Sequence, residues 1–203
     1  MSGELRSILI GTAGLSACGL IALLLTLARA TPSANSPEAC QVKKIAAVGI
    51  MLHSGHFIEE WQTGFHVRFP ELLGLAPWTS AFFLSLNLFF IGVWILSLAV
   101  LRAQTHMALL PLWFLAIAST ANGIAHPLFS AVSADYFPGL LTSPLVGICG
   151  VLLMRALFMF TRLNMSPRSR GETDVNGTKR ISFSSHQTRR DKKGLKSDLV
   201  ITI

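Results

Sequence analysis

The 203 residues allow one domain and an appended tail. Hydrophobic residues make up 51% and charged residues only 13%, against about 25% charged in a soluble domain, so an ordinary water-soluble globule is excluded and a multi-pass membrane protein is indicated. The net charge of +7 is uneven, because ten basic and four acidic residues lie from Arg162 onward and leave seven against six for everything before.

The first element is an apolar run over residues 7–28, long enough to cross a bilayer core of roughly 30 Å. Its end, Ala28-Arg29-Ala30, also has the small-x-small form of a signal-peptide cleavage site, so residues 1–30 read as a first span with signal-peptide removal as the competing reading. Residues 31–40 are loop chemistry with two prolines. Ser36-Pro37-Glu38 then gives an N-cap, a first-turn proline and a first-turn acid, predicting a helix from about Glu38 to Phe65. Gly64 and Pro70 loosen and end it, and residues 66–78 read as a short polar connection. Further spans are predicted at 79–101, 107–131 and 139–161, the third of these five carrying Asn87 and the fourth carrying Pro111, Asn122, His126 and Pro127. The fold class is therefore all-α, a membrane bundle of about five spans. The membrane domain covers 38–161, and a disordered basic tail follows over 162–203.

Basic residues flanking spans face the cytoplasm. Placing the tail there puts Arg102, Lys43, Lys44 and Arg29 on the same side, which requires five spans and an outside N-terminus. Trp61, Phe65, Trp78 and Tyr136 then gather at the outer interface. The tail's basic residues suit anionic lipid headgroups, and with no aromatics interleaved they give no nucleic-acid module. The sequon Asn176-Gly177-Thr178 would be cytoplasmic. Cys18, Cys40 and Cys149 form neither a CxxC pair nor a regular spacing.

Chemistry concentrates in the second span. Between Lys44 and Arg68 the only charged residues are Glu59 and Glu60, accompanied by His53 and His56. In a helix His56 and Glu60 share a face, with His53 one turn earlier and Glu59 three residues from His56. Ionisable groups at such depth must be hidden in the bundle, which makes them functional candidates. At 1.5 Å per residue, His56 and Glu60 lie about 18 and 24 Å from Lys44, and Asn122 and His126 about 22 and 28 Å from Met107. Both helices run the same way, so the two polar groups arrive at a similar depth. Asn87 reads as interhelical glue, His66 and His106 as solvated interface residues, and Tyr136 and Thr142 as belt and capping residues.

The pattern His56-x-x-Glu59-Glu60 with Asn122-x-x-x-His126, followed by Tyr136-x-Pro138-Gly139-x-x-Thr142, resembles the HXXEE domain family of small multi-pass membrane proteins. The resemblance covers roughly residues 42–160 and leaves out the first span and the tail. It implies a membrane fold and an enzymatic site at these residues.

The residues themselves support three functions. Two Glu and two His on neighbouring helices can bind Zn²⁺, Mn²⁺ or Fe²⁺, with His56, Glu59, Glu60 and His126 as ligands and Glu59, Glu60 and Asn122 serving catalysis on a lipid-like substrate by hydrolysis or oxidation. A proton relay or proton-coupled transporter would use a titrating Glu59 or Glu60 without metal, although the repeats typical of transporters are absent. A purely structural polar layer would make the chain a scaffold.

Overall fold

A computed structural model of the chain describes residues 3–30, 36–101 and 106–163. Seven helices appear among them: α1 (Gly3–Gly11), α2 (Ala13–Ala28), α3 (Pro37–Gln62), α4 (Phe65–Leu72), α5 (Ser80–Val100), α6 (Leu109–Ser133) and α7 (Ser143–Phe160). A 3₁₀ turn, His106–Ala108, leads into α6, and two-residue strands β1 (Arg29–Ala30) and β2 (Arg162–Leu163) pair antiparallel. Of the tail reading over 162–203, Arg162 and Leu163 instead form β2, while residues 164–203 and the topology marker Arg102, in the 102–105 segment, lie outside the described residues.

Three helices, α5, α6 and α7, are long and apolar enough to cross a membrane, and α1 with α2 makes a fourth if that pair is one span bent by 41°. The expected count of five is thus met only in part. The shortfall is α3, which has the length, at 26 residues, but carries Glu38, Lys43, Lys44, Glu59 and Glu60. Its apolar side chains Val48, Met51 and Ile58 are exposed, while His53, His56 and Glu60 are buried. The ionisable groups His53, His56 and Glu60 thus turn inward beside buried Ile50 and Phe57, while apolar side chains face outward as in a helix set in lipid.

Local chemistry sets the boundaries. Ser36 Oγ accepts the Ala39 N–H and Pro37 opens α3, as the sequence predicts. The helix stops at Gln62, three residues before the expected Phe65, because Gly64 takes a left-handed φ of 81°. The predicted polar connection 66–78 instead contains α4. Phe65 and Phe69, four residues apart, stack at 5.0 Å between ring centres and pack against Trp78, and this burial outweighs the polar His66 and Arg68 between them. α6 runs on to Ser133, with Pro127 inside it. α7 begins at Ser143 rather than 139, since Gly139 has a φ of 88° and residues between it and Ser143 form a turn.

The α6–α7 contact positions the site. A Cβ placed on Gly123 would come within 2.6 Å of Gly147 Cα, and one on Gly150 within 2.6 Å of the Thr120 backbone nitrogen. Small residues thus bring the two backbones together, the usual way helices associate where lipid supplies no hydrophobic drive. Fully buried Trp113, Leu115, Leu153 and Leu157 fill the layer below. α3 packs along α7, and α2 packs along α6.

The first helices are built into this bundle at both ends. Ser7 Oγ donates to Ala76 O at 2.5 Å, and Gly11 lies against the Trp78 ring. Arg29 donates to Thr161 Oγ1 at 2.6 Å, Thr161 O at 2.9 Å and Phe158 O at 3.1 Å, satisfying carbonyls at the end of α7. Arg29, at the centre of the segment that resembles a cleavage site, therefore ties the end of α2 to the end of α7.

Candidate metal centre

α3 and α6 bring His56, Glu60 and His126 together, and all three are buried, with exposures of 0%, 6% and 1%. His56 Nε2 lies 3.4 Å and His126 Nε2 3.3 Å from the same carboxylate oxygen, Glu60 Oε1. The two imidazoles meet edge to face, with centres 4.7 Å apart. One ligand atom from each residue lies within 4.8 Å of the other two, so the group could hold a metal ion.

The remaining ring nitrogens fix which way these groups face. His126 Nδ1 lies 2.6 Å from Pro138 O, a carbonyl that can only accept, so Nδ1 carries the proton. Thr142 Oγ1 donates to Glu59 Oε2 at 2.5 Å, which leaves it to accept from His56 Nδ1 at 2.7 Å. With Nδ1 protonated, a neutral ring would turn its Nε2 lone pair toward Glu60 Oε1, an arrangement that suits a shared cation between them. No Lys or Arg pairs with Glu60 among the described residues. A buried carboxylate facing lone pairs is costly unless a cation lies among them. Glu60 Oε1 lies 3.3–3.4 Å from each imidazole Nε2, a separation that two ligands at about 2.0–2.1 Å from one ion can span.

The loop between α6 and α7 orients both histidines. Pro138 supplies the carbonyl for His126, and Thr142 the hydroxyl for His56. Gly139 sits between them, where a Cβ would fall 2.5 Å from His126 Cε1 and 2.8 Å from His56 Cε1. Glycine is thus required there for close approach as well as for its positive φ.

Glu59 departs from the ligand role expected of it. It faces the loop: Oε1 accepts from Tyr136 OH at 2.7 Å and Leu141 N at 2.9 Å, and Oε2 from Thr142 N at 2.9 Å and the Thr142 hydroxyl. Burial, and next the Glu59 hydrogen bond, hold the Tyr136 phenol above its ordinary pKa, so it stays a donor. The physical reason is helical rotation. Successive residues turn about 100°, so Glu60 faces His126 while Glu59 points past it. Glu59–Thr142–His56 is a carboxylate-to-histidine relay of the kind that orients metal ligands. Glu59→Gln is therefore expected to weaken metal affinity about 10–100-fold without abolishing it, measured by competition with a fluorescent chelator. An affinity equal to wild type would remove Glu59 from the site.

The other expected residues divide. Asn122 makes no hydrogen bond among the described residues and lines a cavity of about 210 Å³ together with Glu60, His126 and His53. His53 is outside the ligating group. Its ring stands edge-on to Trp94 at 4.8 Å, and its Nδ1 is buried without a partner. Asn87 donates to Phe83 O on its own helix, 3.0 Å away, and also lines the cavity, so it is not the interhelical tie expected. His66 contacts Ser80 Oγ at 3.1 Å. Tyr136 and Thr142, read as belt and capping residues, prove to hold Glu59; Thr142 makes no side-chain cap to α7 because its hydroxyl is engaged here. Their single sequence signal was the Tyr136-x-Pro138-Gly139-x-x-Thr142 spacing, which does not reveal what each residue touches.

The fold and the site define a helical protein, three of whose helices are long and apolar enough to cross a membrane, with a buried His/Glu group. No protein-family model, curated protein or solved structure matches the chain.

Proposed function

We propose that the chain is a membrane metalloenzyme of the HXXEE type. In this reading His56, Glu60 and His126 hold one divalent ion and act on a lipid-like substrate in the adjoining cavity. The observation that carries the proposal is the convergence of two imidazole Nε2 atoms on one carboxylate oxygen, 3.4 and 3.3 Å from it, in buried surroundings. Two histidines and one carboxylate suit Zn²⁺, Fe²⁺ and Mn²⁺, of which zinc commonly takes three such ligands and leaves a fourth position open. Three protein ligands leave a fourth position for water or substrate, and a zinc ion there would supply a Lewis acid and a water ionising near neutral pH. The cavity lies on the side where Glu60 and His126 are reached, with Asn122 placed to orient a bound oxygen. Hydrolysis of a neutral lipid ester is the reaction class this set supports best.

The proposal includes α3 as a crossing helix, giving five spans with the N-terminus outside and the tail cytoplasmic. Its support is the exposed apolar face of Val48, Met51 and Ile58, opposite the buried polar one. The basic tail would then lie against anionic headgroups.

A long-chain chromogenic ester in mixed micelles tests the reaction. Release of the chromophore is expected in zinc-loaded protein, to be lost on chelation, restored by zinc, and absent in Glu60→Gln. A metal-loaded protein inert toward esters would overturn the hydrolytic assignment.

A further inference from the structure

The cavity adjoins a second space. A groove of about 550 Å³ runs between α2 and α5, with α6 as its floor, and Leu15, Leu86, Phe90, Trp94 and Phe114 line both it and the cavity. The two helices flanking the groove hardly touch, since α2 packs on α6 instead.

Two glycines of α2 border these spaces. Gly14 lines the cavity and Gly19 the groove, and a Cβ on either would meet no atom within 4 Å. They contrast with Gly123, Gly147 and Gly150, each pressed against a neighbouring backbone. Close packing therefore accounts for the α6 and α7 glycines but not for those on α2. What the α2 glycines leave is empty space beside an apolar wall.

The cavity end is chemically different from the groove. Glu60, His126, Asn122 and Asn87 reach it, together with His53, only 7% exposed and with Nδ1 unpartnered. Among the described residues no Lys or Arg lines either space. Apart from an ion at the His56–Glu60–His126 group, a charged headgroup would find no basic partner along the apolar lining, and burying an unpaired charge is unfavourable. From His126 to Leu110, which lines the far end of the groove, α6 rises about 24 Å, more than half of a bilayer core of roughly 30 Å. The space therefore suits one long aliphatic chain ending in a small oxygen-bearing group.

We infer that a neutral single-chain lipid enters sideways between α2 and α5, laying its chain in the groove and its oxygen-bearing end beside the His56–Glu60–His126 group. The inference rests on the metalloenzyme reading for its chemistry but makes a separate claim about the route. α2 is then a substrate-binding element as well as a span.

A C16 methyl ester carrying a photoactivatable diazirine at mid-chain tests it, with purified full-length protein in nanodiscs and cross-linked peptides mapped by mass spectrometry. Labels are expected at Leu15, Leu86 and Phe90, to be competed by methyl palmitate and not by lysophosphatidylcholine. Gly14→Trp and Gly19→Trp should each reduce that labelling at least about fivefold while metal content and thermal midpoint stay at wild-type values. Should a tryptophan disturb folding, Gly14→Leu and the competition series on wild type give the same reading. Labelling confined to outward residues such as Leu128 and Ile148, or unchanged by the plugs and by competitor, would overturn the route. Metal content of the same samples separates the two claims: metal-free wild type that still labels the groove would fail the metalloenzyme reading and leave the route standing.

Discussion

His126→Ala is expected to empty the centre, lowering bound divalent metal from one ion per chain to less than about a tenth. The imidazole cannot be replaced locally. His53, the remaining histidine nearby, lies with its ring centre 5.8 Å from that of His56 and sits outside the ligating group. Binding to the folded state alone stabilises it by about 4 kcal/mol when free metal is a thousandfold above Kd. Chelation should therefore lower the wild-type thermal midpoint in detergent and leave that of His126→Ala unmoved. Glu60→Gln should behave likewise, because an amide offers the ion no charge. A variant that kept both its metal and its chelator sensitivity would show that the ion sits elsewhere.

Gly139→Ala should be nearly as damaging, though position 139 contributes no ligand atom. Alanine at a φ of 88° costs about 1–3 kcal/mol from backbone strain alone. Its methyl would also stand 2.5–2.8 Å from ring atoms of both His126 and His56, so one imidazole must leave its place. The combined loss is expected to reach about 3 kcal/mol or more, with metal affinity falling alongside it. Gly74→Ala is the control. Its φ of 67° carries the backbone penalty, but a Cβ there meets nothing within 4 Å. Thermal unfolding and metal content of the two variants, taken together, separate strain from crowding. Equal behaviour would mean that the loop does not hold the histidines.

Much of this arrangement was legible from residue spacing. Ser36-Pro37-Glu38 marked the start of α3, and counting helical rise brought the polar groups of α3 and α6 to a similar depth, where His56, Glu60 and His126 meet. Spacing could not decide between Glu59 and Glu60, since i+3 and i+4 both lie near His56 on an isolated helix. The neighbour at α6 decides it, and that neighbour is set by Gly123 and Gly147, whose pairing no periodicity announces. α4 was hidden for a similar reason. Its helix exists because Phe65 and Phe69 find Trp78, Phe83 and Phe137, contacts contributed from elsewhere in the chain. The loop from Tyr136 to Thr142 was recognisable as a pattern, yet its function lies in bonds to residues some 80 positions away.

X-ray absorption of protein purified without added metal or chelator tests the central claim most directly. The expected result is one divalent ion per chain, identified by its edge energy, with two imidazole nitrogens and a carboxylate oxygen at about 2.0–2.1 Å. Those imidazole signals should vanish in a His56→Ala/His126→Ala variant that still inserts. A metal-free wild type, or an ion whose ligand shell is unchanged by that double substitution, would contradict the site.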